Sequence, residues 1–141
     1  MKGALLDLKQ ANEINRFCQI SYNDFDLLEK SDFIFHSAGI GVSRNQDRNS
    51  VLHENVLITK DLFSNRSFKE NCKIIVITNP LDSITYYSWK YSGLPKKHVI
   101  GVGTYLDTVR MNFFLNELSL KSYQSVLLGE HGKAIVFISS L

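Results

Sequence analysis

The chain has 141 residues, of which 44% are apolar and 21% charged, with a formal net charge of +2 at pH 7; that is the size and balance of one soluble globular domain with a real core. So small a positive excess, with no basic block, argues against a nucleic-acid binder, and no apolar run approaches the ~18 residues of a membrane span. Cys18 and Cys72 lack metal-type spacing and no secretory pattern opens the chain, so two free thiols and a cytoplasmic location are expected.

Taken in order, residues 2–12 predict a short helix with Leu5, Leu8 and Asn12 on one face. Phe17 to Ile20 reads as a short strand and Phe25 to Lys30 as one or two helical turns. The apolar run Asp32-Phe-Ile-Phe-His-Ser37 predicts a strand entering a turn at Ala38-Gly39, followed by a loop over 40–47 without periodicity. From Asp47 to Phe63 the apolar residues form a broad helical stripe. Lys73-Ile-Ile-Val-Ile-Thr78 is the clearest strand, and its unbroken β-branched run predicts burial on both faces, as in a parallel sheet. Asn79-Pro80 opens a helix that Gly93 and Pro95 close, His98 to Gly101 is another strand, and 104–118 is a helix. Ser125 to Leu128 and Ala134 to Ile138 are the last strands. Strand alternates with helix throughout, which predicts a parallel α/β sheet with helices on its faces.

Ligands of open parallel sheets bind beyond the carboxyl ends of the strands. Ser37, Asn79, Thr104 and His131 all fall just past such ends. His131 lies in Gly129-Glu-His-Gly132, a titratable group on a backbone that allows tight turns. Each of these residues also has a structural explanation: Asn79 as the cap before Pro80, Thr104 with Asp107 as a capping box, Arg110 as a solvated helix charge. Together they suit a different chemistry. Asp107 and Arg110, three apart on a helix, can face one pocket; a carboxylate orients an imidazole, and an arginine fork grips a substrate carboxylate. Arg48, at the end of the 40–47 loop, can close over the pocket and polarise a carbonyl.

These segments resemble the NAD-dependent lactate/malate dehydrogenases, most closely the L-lactate branch. The resemblance is carried by Lys2-Gly-Ala-Leu-Leu-Asp-Leu, Ser37-Ala-Gly, Arg48 with Asn55-Val56, and Thr78-Asn-Pro-Leu-Asp82. Residues 84–95, Val99-Ile-Gly-Val-Gly-Thr104, Leu106-Asp-Thr-Val-Arg110 and Leu128-Gly-Glu-His-Gly132 follow in the family's order. It implies a Rossmann-type parallel sheet lacking its first strand-helix-strand over 1–103, and the start of an α+β catalytic domain over 104–141. It further implies NAD as cofactor and a small 2-oxo or 2-hydroxy acid as substrate, in glycolytic carboxylic acid metabolism. No nucleic acid, metal or membrane is involved, and the parent enzyme is a homo-oligomer, dimer or tetramer. By the resemblance His131 is the proton donor and acceptor, Asp107 its partner, Arg110 the substrate clamp and Arg48 the lid arginine. Asn79 contacts substrate and nicotinamide, and Ser37, Ala38, Gly39, Asn55 and Thr78 line the cofactor.

The chain also departs from the family. It contains no G-x-G-x-x-G and no acidic partner for the ribose. Lys133 replaces an acidic or amide residue, the lid reads Ser43-Arg-Asn-Gln46, and the position that separates lactate from malate enzymes holds Val42. The strand at 32–37 would therefore have an open, apolar edge, and the expectation is a fragment without activity of its own. Malate or a bulkier 2-hydroxy acid is the alternative substrate, and a catalytically dead remnant the alternative role.

Overall fold

The β-branched run at 73–76 forms the centre of the structure. A computed structural model describes residues 2–15, 18–42, 48–120, 124–130 and 134–140. Strands β1 (Phe33–His36), β2 (Lys73–Val76) and β3 (Val99–Gly101) make a parallel sheet in the order β1-β2-β3, with Ile34 opposite Ile74 and Ile74 opposite Val99. Parallel neighbours need crossovers, and helices provide them. A 3-10 turn (Arg48–Val51) running into α3 (Leu52–Phe63) joins β1 to β2, and α4 (Leu81–Ser92) joins β2 to β3. Two helices precede the sheet, α1 (Lys2–Asn15) and α2 (Phe25–Lys30). Among the described residues no helix is long and apolar enough to cross a membrane.

Ile34, Ile74, Val76 and Val99 bury one face of the sheet against Phe63 of α3 and Ile84 of α4, with Cys72 and Leu94 completing the cluster. Each such side chain contributes on the order of 1.5–3 kcal/mol before entropy is counted. Burial on both faces was the expectation for β2, and the structure corrects it. On the other face Lys73 and Ile75 are half-buried, and beside them Phe33 and Phe35 are 63% and 66% exposed. Both crossover helices pack on the first face, so one face of an all-apolar strand is left half covered.

The strand expected at 17–20 is absent: Cys18 to Ile20 are neither helix nor strand, and Phe17 lies outside the described residues. The reason is local. Asn12 takes the backbone groups a strand would use, its Nδ2 donating to Cys18 O at 2.5 Å and its Oδ1 accepting from Cys18 N at 3.2 Å. The Asn79–Pro80 peptide is cis, and α4 begins at Leu81 with Pro80, not Asn79, in the cap position. Gly93 closes α4 with φ 67°, as the sequence predicts.

The alternation does not continue to the end of the chain. After α5 (Tyr105–Glu117), β4 (Gln124–Glu130) and β5 (Ala134–Ser140) pair antiparallel in a separate two-stranded sheet, with Val126 opposite Ile138. Alternation alone predicts one parallel sheet, whereas the family resemblance implies an α+β catalytic domain beginning at 104. Only residues 131–133 separate the two strands, enough for a hairpin and far too few for a crossover. Gly129 is demanded by the pairing: its φ is 116°, and a Cβ there would stand 2.1 Å from the carbonyl oxygen of Ala134.

Candidate functional site

In a parallel sheet all carboxyl ends share one edge. Ser37, Ala38 and Gly39 follow β1, Thr78 and Asn79 follow β2, and Thr104 follows β3. Ser37, Ala38, Gly39 and Asn79 are exposed there, forming a ridge of backbone open to a ligand.

The ridge is held from behind by buried side chains. Thr78 Oγ1 donates toward the carbonyls of His36 (3.1 Å) and Ala38 (2.9 Å), joining the ends of β2 and β1. Asn55, from α3, is fully buried. Its Oδ1 accepts from Ile40 N at 2.6 Å, and its Nδ2 donates to Ile40 O at 3.2 Å and Asn79 O at 2.7 Å. Asn55 therefore uses its whole amide on backbone and clamps the two post-strand turns together. Gly39 fits between the clamps, where a Cβ would lie 2.6 Å from Thr78 Cγ2 and 3.1 Å from Asn55 Oδ1.

Beneath Asn55 a polar chain enters the core. Thr59 Oγ1 donates to Asn55 O at 2.7 Å, so its oxygen accepts from His36 Nε2, 3.0 Å away. This fixes the proton of His36 on Nε2. Its Nδ1 is buried without a partner among the described residues, and the ring meets Phe63 edge-on at 5.2 Å. Burial pushes the imidazole below its ordinary pKa.

The second group of candidates lies on α5. Arg110 Nη1 stands 3.5 Å from Asp107 Oδ1, one turn away; the Arg110 side chain is 59% exposed and that of Asp107 13%. With the guanidinium open to solvent and the contact long, the pair stabilises the helix little. The expected capping box does not form, because Thr104 makes no side-chain cap and donates its hydroxyl to Leu127 O of β4 instead. Thr108 Oγ1 accepts from Leu127 N at 3.0 Å, and Asn112 is bonded to both N and O of Ser125 at 3.1 and 3.2 Å.

The structure thus brings Thr78, Asn55, Gly39 and Asn79 together as one group and Asp107 with Arg110 as another. Arg48 opens the 3-10 turn, but its side chain, like His131 and residues 43–47, lies outside the described residues. Val42 is half-buried. Two open surface hollows among the described residues, one beside Lys60 and Ser64 and one beside Phe25 and Leu62, include none of the candidates. His36, Thr59, Thr108 and Asn112 were not singled out from sequence. The signals were present: a histidine at a buried parity of an apolar strand, and Thr104, Thr108 and Asn112 spaced by four along one helix stripe.

A family model described as lactate/malate dehydrogenase, NAD binding domain, matches residues 1–101. The chain is 36% identical over 135 residues to an L-lactate dehydrogenase of Fervidobacterium nodosum, covering 93% of the chain and 44% of that protein. It is 32% identical over 141 residues to human L-lactate dehydrogenase A-like 6A, covering 96% of the chain and 42% of that protein. It thus spans less than half the length of these relatives. Among solved structures, the malate dehydrogenase of Aeropyrum pernix superposes with a TM-score of 0.81 at 29% identity, covering 99% of the chain and 48% of that protein. A minor L-lactate dehydrogenase of Enterococcus mundtii gives 0.70 at 29% identity, covering 81% and 38%. The described residues suit part of a dinucleotide, since the Ser37–Gly39 ridge is exposed and braced from behind, as an extended ligand lying along strand ends requires. With a Rossmann-type sheet, this ridge and a match over residues 1–101, the chain belongs to the lactate/malate dehydrogenase family of NAD-binding oxidoreductases.

Proposed function

We propose that the chain is part of an L-2-hydroxyacid dehydrogenase of the lactate type, interconverting a 2-oxo acid such as pyruvate with its 2-hydroxy acid. Residues 1–103 form the greater part of its NAD-binding side and 104–141 the beginning of its catalytic domain. The observation that carries this reading is the pairing of Asp107 with Arg110 on α5, the helix whose side chains also hold the strand leading to His131.

NAD, when held along the Ser37–Gly39 ridge and beside Asn79, would supply the hydride chemistry at the substrate carbon. The chain's own residues do the rest. His131 gives a proton to the carbonyl oxygen in reduction and takes it back in oxidation, a role its pKa range suits near neutrality. Asp107 orients the imidazole and stabilises its charged form. Arg110 holds the substrate carboxylate in a two-bonded fork, and Arg48 polarises the carbonyl from above. Asn79, exposed beyond β2 with its carbonyl fixed by Asn55, borders substrate and nicotinamide. Ser37, Ala38 and Gly39 line the dinucleotide, while Asn55 and Thr78 brace that ridge. The setting is cytoplasmic and the intact enzyme a homo-oligomer. A malate or bulkier-acid specificity is the second reading, favoured by Val42 at the discriminating lid position and by the likeness to the Aeropyrum pernix enzyme.

The 141 residues by themselves are proposed to be inactive, because they contain no glycine turn to receive a pyrophosphate. The test is a chimera in which they replace the matching segment of the Fervidobacterium nodosum enzyme. It is expected to oxidise NADH with pyruvate in preference to oxaloacetate, and His131→Ala is expected to lower kcat by about 10²–10⁴-fold with NADH affinity retained. Preference for oxaloacetate selects the malate reading, and unchanged turnover in the variant removes His131 from the mechanism.

A further inference from the structure

The buried stripe of α3 is Asn55, Thr59 and Phe63, spaced by four and therefore stacked ~6.0 Å apart on one face. Only Phe63 is apolar, with Leu52, Val56 and Leu62 packed part-buried beside it. Contact of that kind is non-directional, so it leaves the height of the helix along the sheet to polar groups. His36, the last residue of β1, donates from Nε2 to Thr59 Oγ1 at 3.0 Å. Thr59 can only accept there, because its own proton goes to Asn55 O at 2.7 Å. On its other side the carbonyl of His36 accepts from Ile77 N at 2.9 Å and from Thr78 Oγ1 at 3.1 Å. At His36, then, α3, β1 and the end of β2 are all tied together, and the exposed ridge begins at the next residue, Ser37.

Stability alone does not explain this pair. Thr59 and His36 are 0% and 2% exposed, and His36 Nδ1 has no partner among the described residues. A buried polar atom left bare is costly, whereas two apolar side chains would fill the space with none. What the polar pair adds is a fixed distance. One turn above it the Asn55 amide must reach Ile40 N at 2.6 Å and Asn79 O at 2.7 Å together. A slide of α3 by ~1.5 Å, the rise of one residue, is enough to spoil the length or the angle of both bonds. We infer that His36 and Thr59 are positioning residues for the dinucleotide ridge: their bond fixes the height of α3 against β1 at which Asn55 holds both post-strand turns at once. This rests on the reading of Ser37–Gly39 as a dinucleotide contact given above.

The test uses the 141-residue chain, followed by NMR. NADH is titrated to millimolar concentration and the amide shifts of Ser37, Ala38 and Gly39 give its Kd. Amide exchange is read at Ile40, whose N–H is held by Asn55 Oδ1, and at the centre of β2 as a measure of global stability. The variants are Thr59→Val, Thr59→Ser and the double variant His36→Val/Thr59→Val, which removes donor and acceptor together and so recovers stability. Thr59→Val is expected to quicken exchange at Ile40 about tenfold and to raise the Kd about five- to tenfold, as the fraction of chains with a competent ridge falls. Thr59→Ser, which keeps the hydroxyl, should return both to wild-type values. The double variant separates positioning from packing: β2 should exchange no faster than in wild type, while Ile40 stays fast and the Kd stays raised. If it binds NADH as wild type does, the pair serves packing only and the inference is overturned, with the ridge reading intact. If NADH shifts no ridge amide in wild type, the ridge reading itself fails and the inference with it. Should the double variant lose β2 protection, the single variants decide. Faster exchange confined to Ile40 in Thr59→Val upholds the inference; equal quickening in β2, or no return in Thr59→Ser, overturns it.

Discussion

Acidification should weaken this fold through one residue, His36. The imidazole is 2% exposed, donates from Nε2 to Thr59, and keeps a bare Nδ1 beneath the β1–β2 ridge. A second proton would have to sit on Nδ1, where no described group receives it, so burial holds the folded-state pKa below the ordinary 6.5. The unfolded chain takes up that proton more readily. Above about pH 6.5 neither state is protonated and the stability contributed by the neutral ring is fully present. As pH falls below 6.5 toward the folded-state value, the unfolded state binds the extra proton first, and stability falls by up to about 1.4 kcal/mol per pH unit. With a urea m-value of about 2 kcal/mol/M for a domain of this size, each unit lowers the midpoint by up to about 0.7 M. The assay is urea unfolding at pH 7.5, 6.5, 5.5 and 5.0 for wild type and His36→Val, a β-branched residue that suits the strand and leaves Thr59 bonded to Asn55. Carboxylates and the other histidines affect both proteins alike, so the difference isolates His36. The variant should lose stability less steeply between pH 6.5 and 5.0. Parallel curves for the two proteins over that range would refute the reasoning.

Three further outcomes follow from the same geometry. Asn55→Leu leaves Ile40 N and O and Asn79 O without their partner; it should cost about 2–4 kcal/mol in urea unfolding, and in the chimera it should raise the Kd for NADH measured by fluorescence. Gly129→Ala drives a methyl group into Ala134 O at a strained φ; loss of amide protection in β4 and β5, with β2 unaffected, is the expected exchange pattern. Arg110→Lys keeps the charge but loses the fork, so the KM for pyruvate in the chimera should rise at least tenfold while that for NADH stays put.

Much of this was legible in the chain, and the reasons differ from element to element. The parallel sheet was readable because Ile74, Ile75 and Val76 form an unbroken β-branched run, and α4 because Gly93 and Pro95 mark its end. Propensity could not show that Asn12 would take the backbone of Cys18 and so prevent a strand; such a bond spans six residues and depends on where a helix happens to stop. Nor does an apolar run say which neighbours will be present, so β2 looked buried on both sides. Alternation alone would run the final hairpin into the larger sheet, because two strands read alike whatever their direction; connection length separates the cases, and so does the resemblance that assigns 104–141 to an α+β domain. Among site residues, sequence marks those whose chemistry is conspicuous, such as Asp107 and Arg110. Asn55 looked like one that touches the cofactor, yet its amide is spent wholly on backbone. Thr104 looked like a cap and turned out to be a strand partner.

The seam between α5 and β4 also bears on the order in which the molecule assembles. Its bonds join residues 13 and 19 positions apart, Asn112 with Ser125 and Thr108 with Leu127, and β5 follows β4 directly. Joining the ends of β1 and β2 instead closes a span of 42 positions, from His36 to Thr78. The longer loop costs about 1 kcal/mol more in chain entropy than the 13-residue one, and it must be closed before the core rewards it. The helix and hairpin are therefore expected to form on the microsecond scale of local structure, ahead of the parallel sheet. They would make a small autonomous unit at the C-terminal side of the chain onto which the slower, long-range half then condenses.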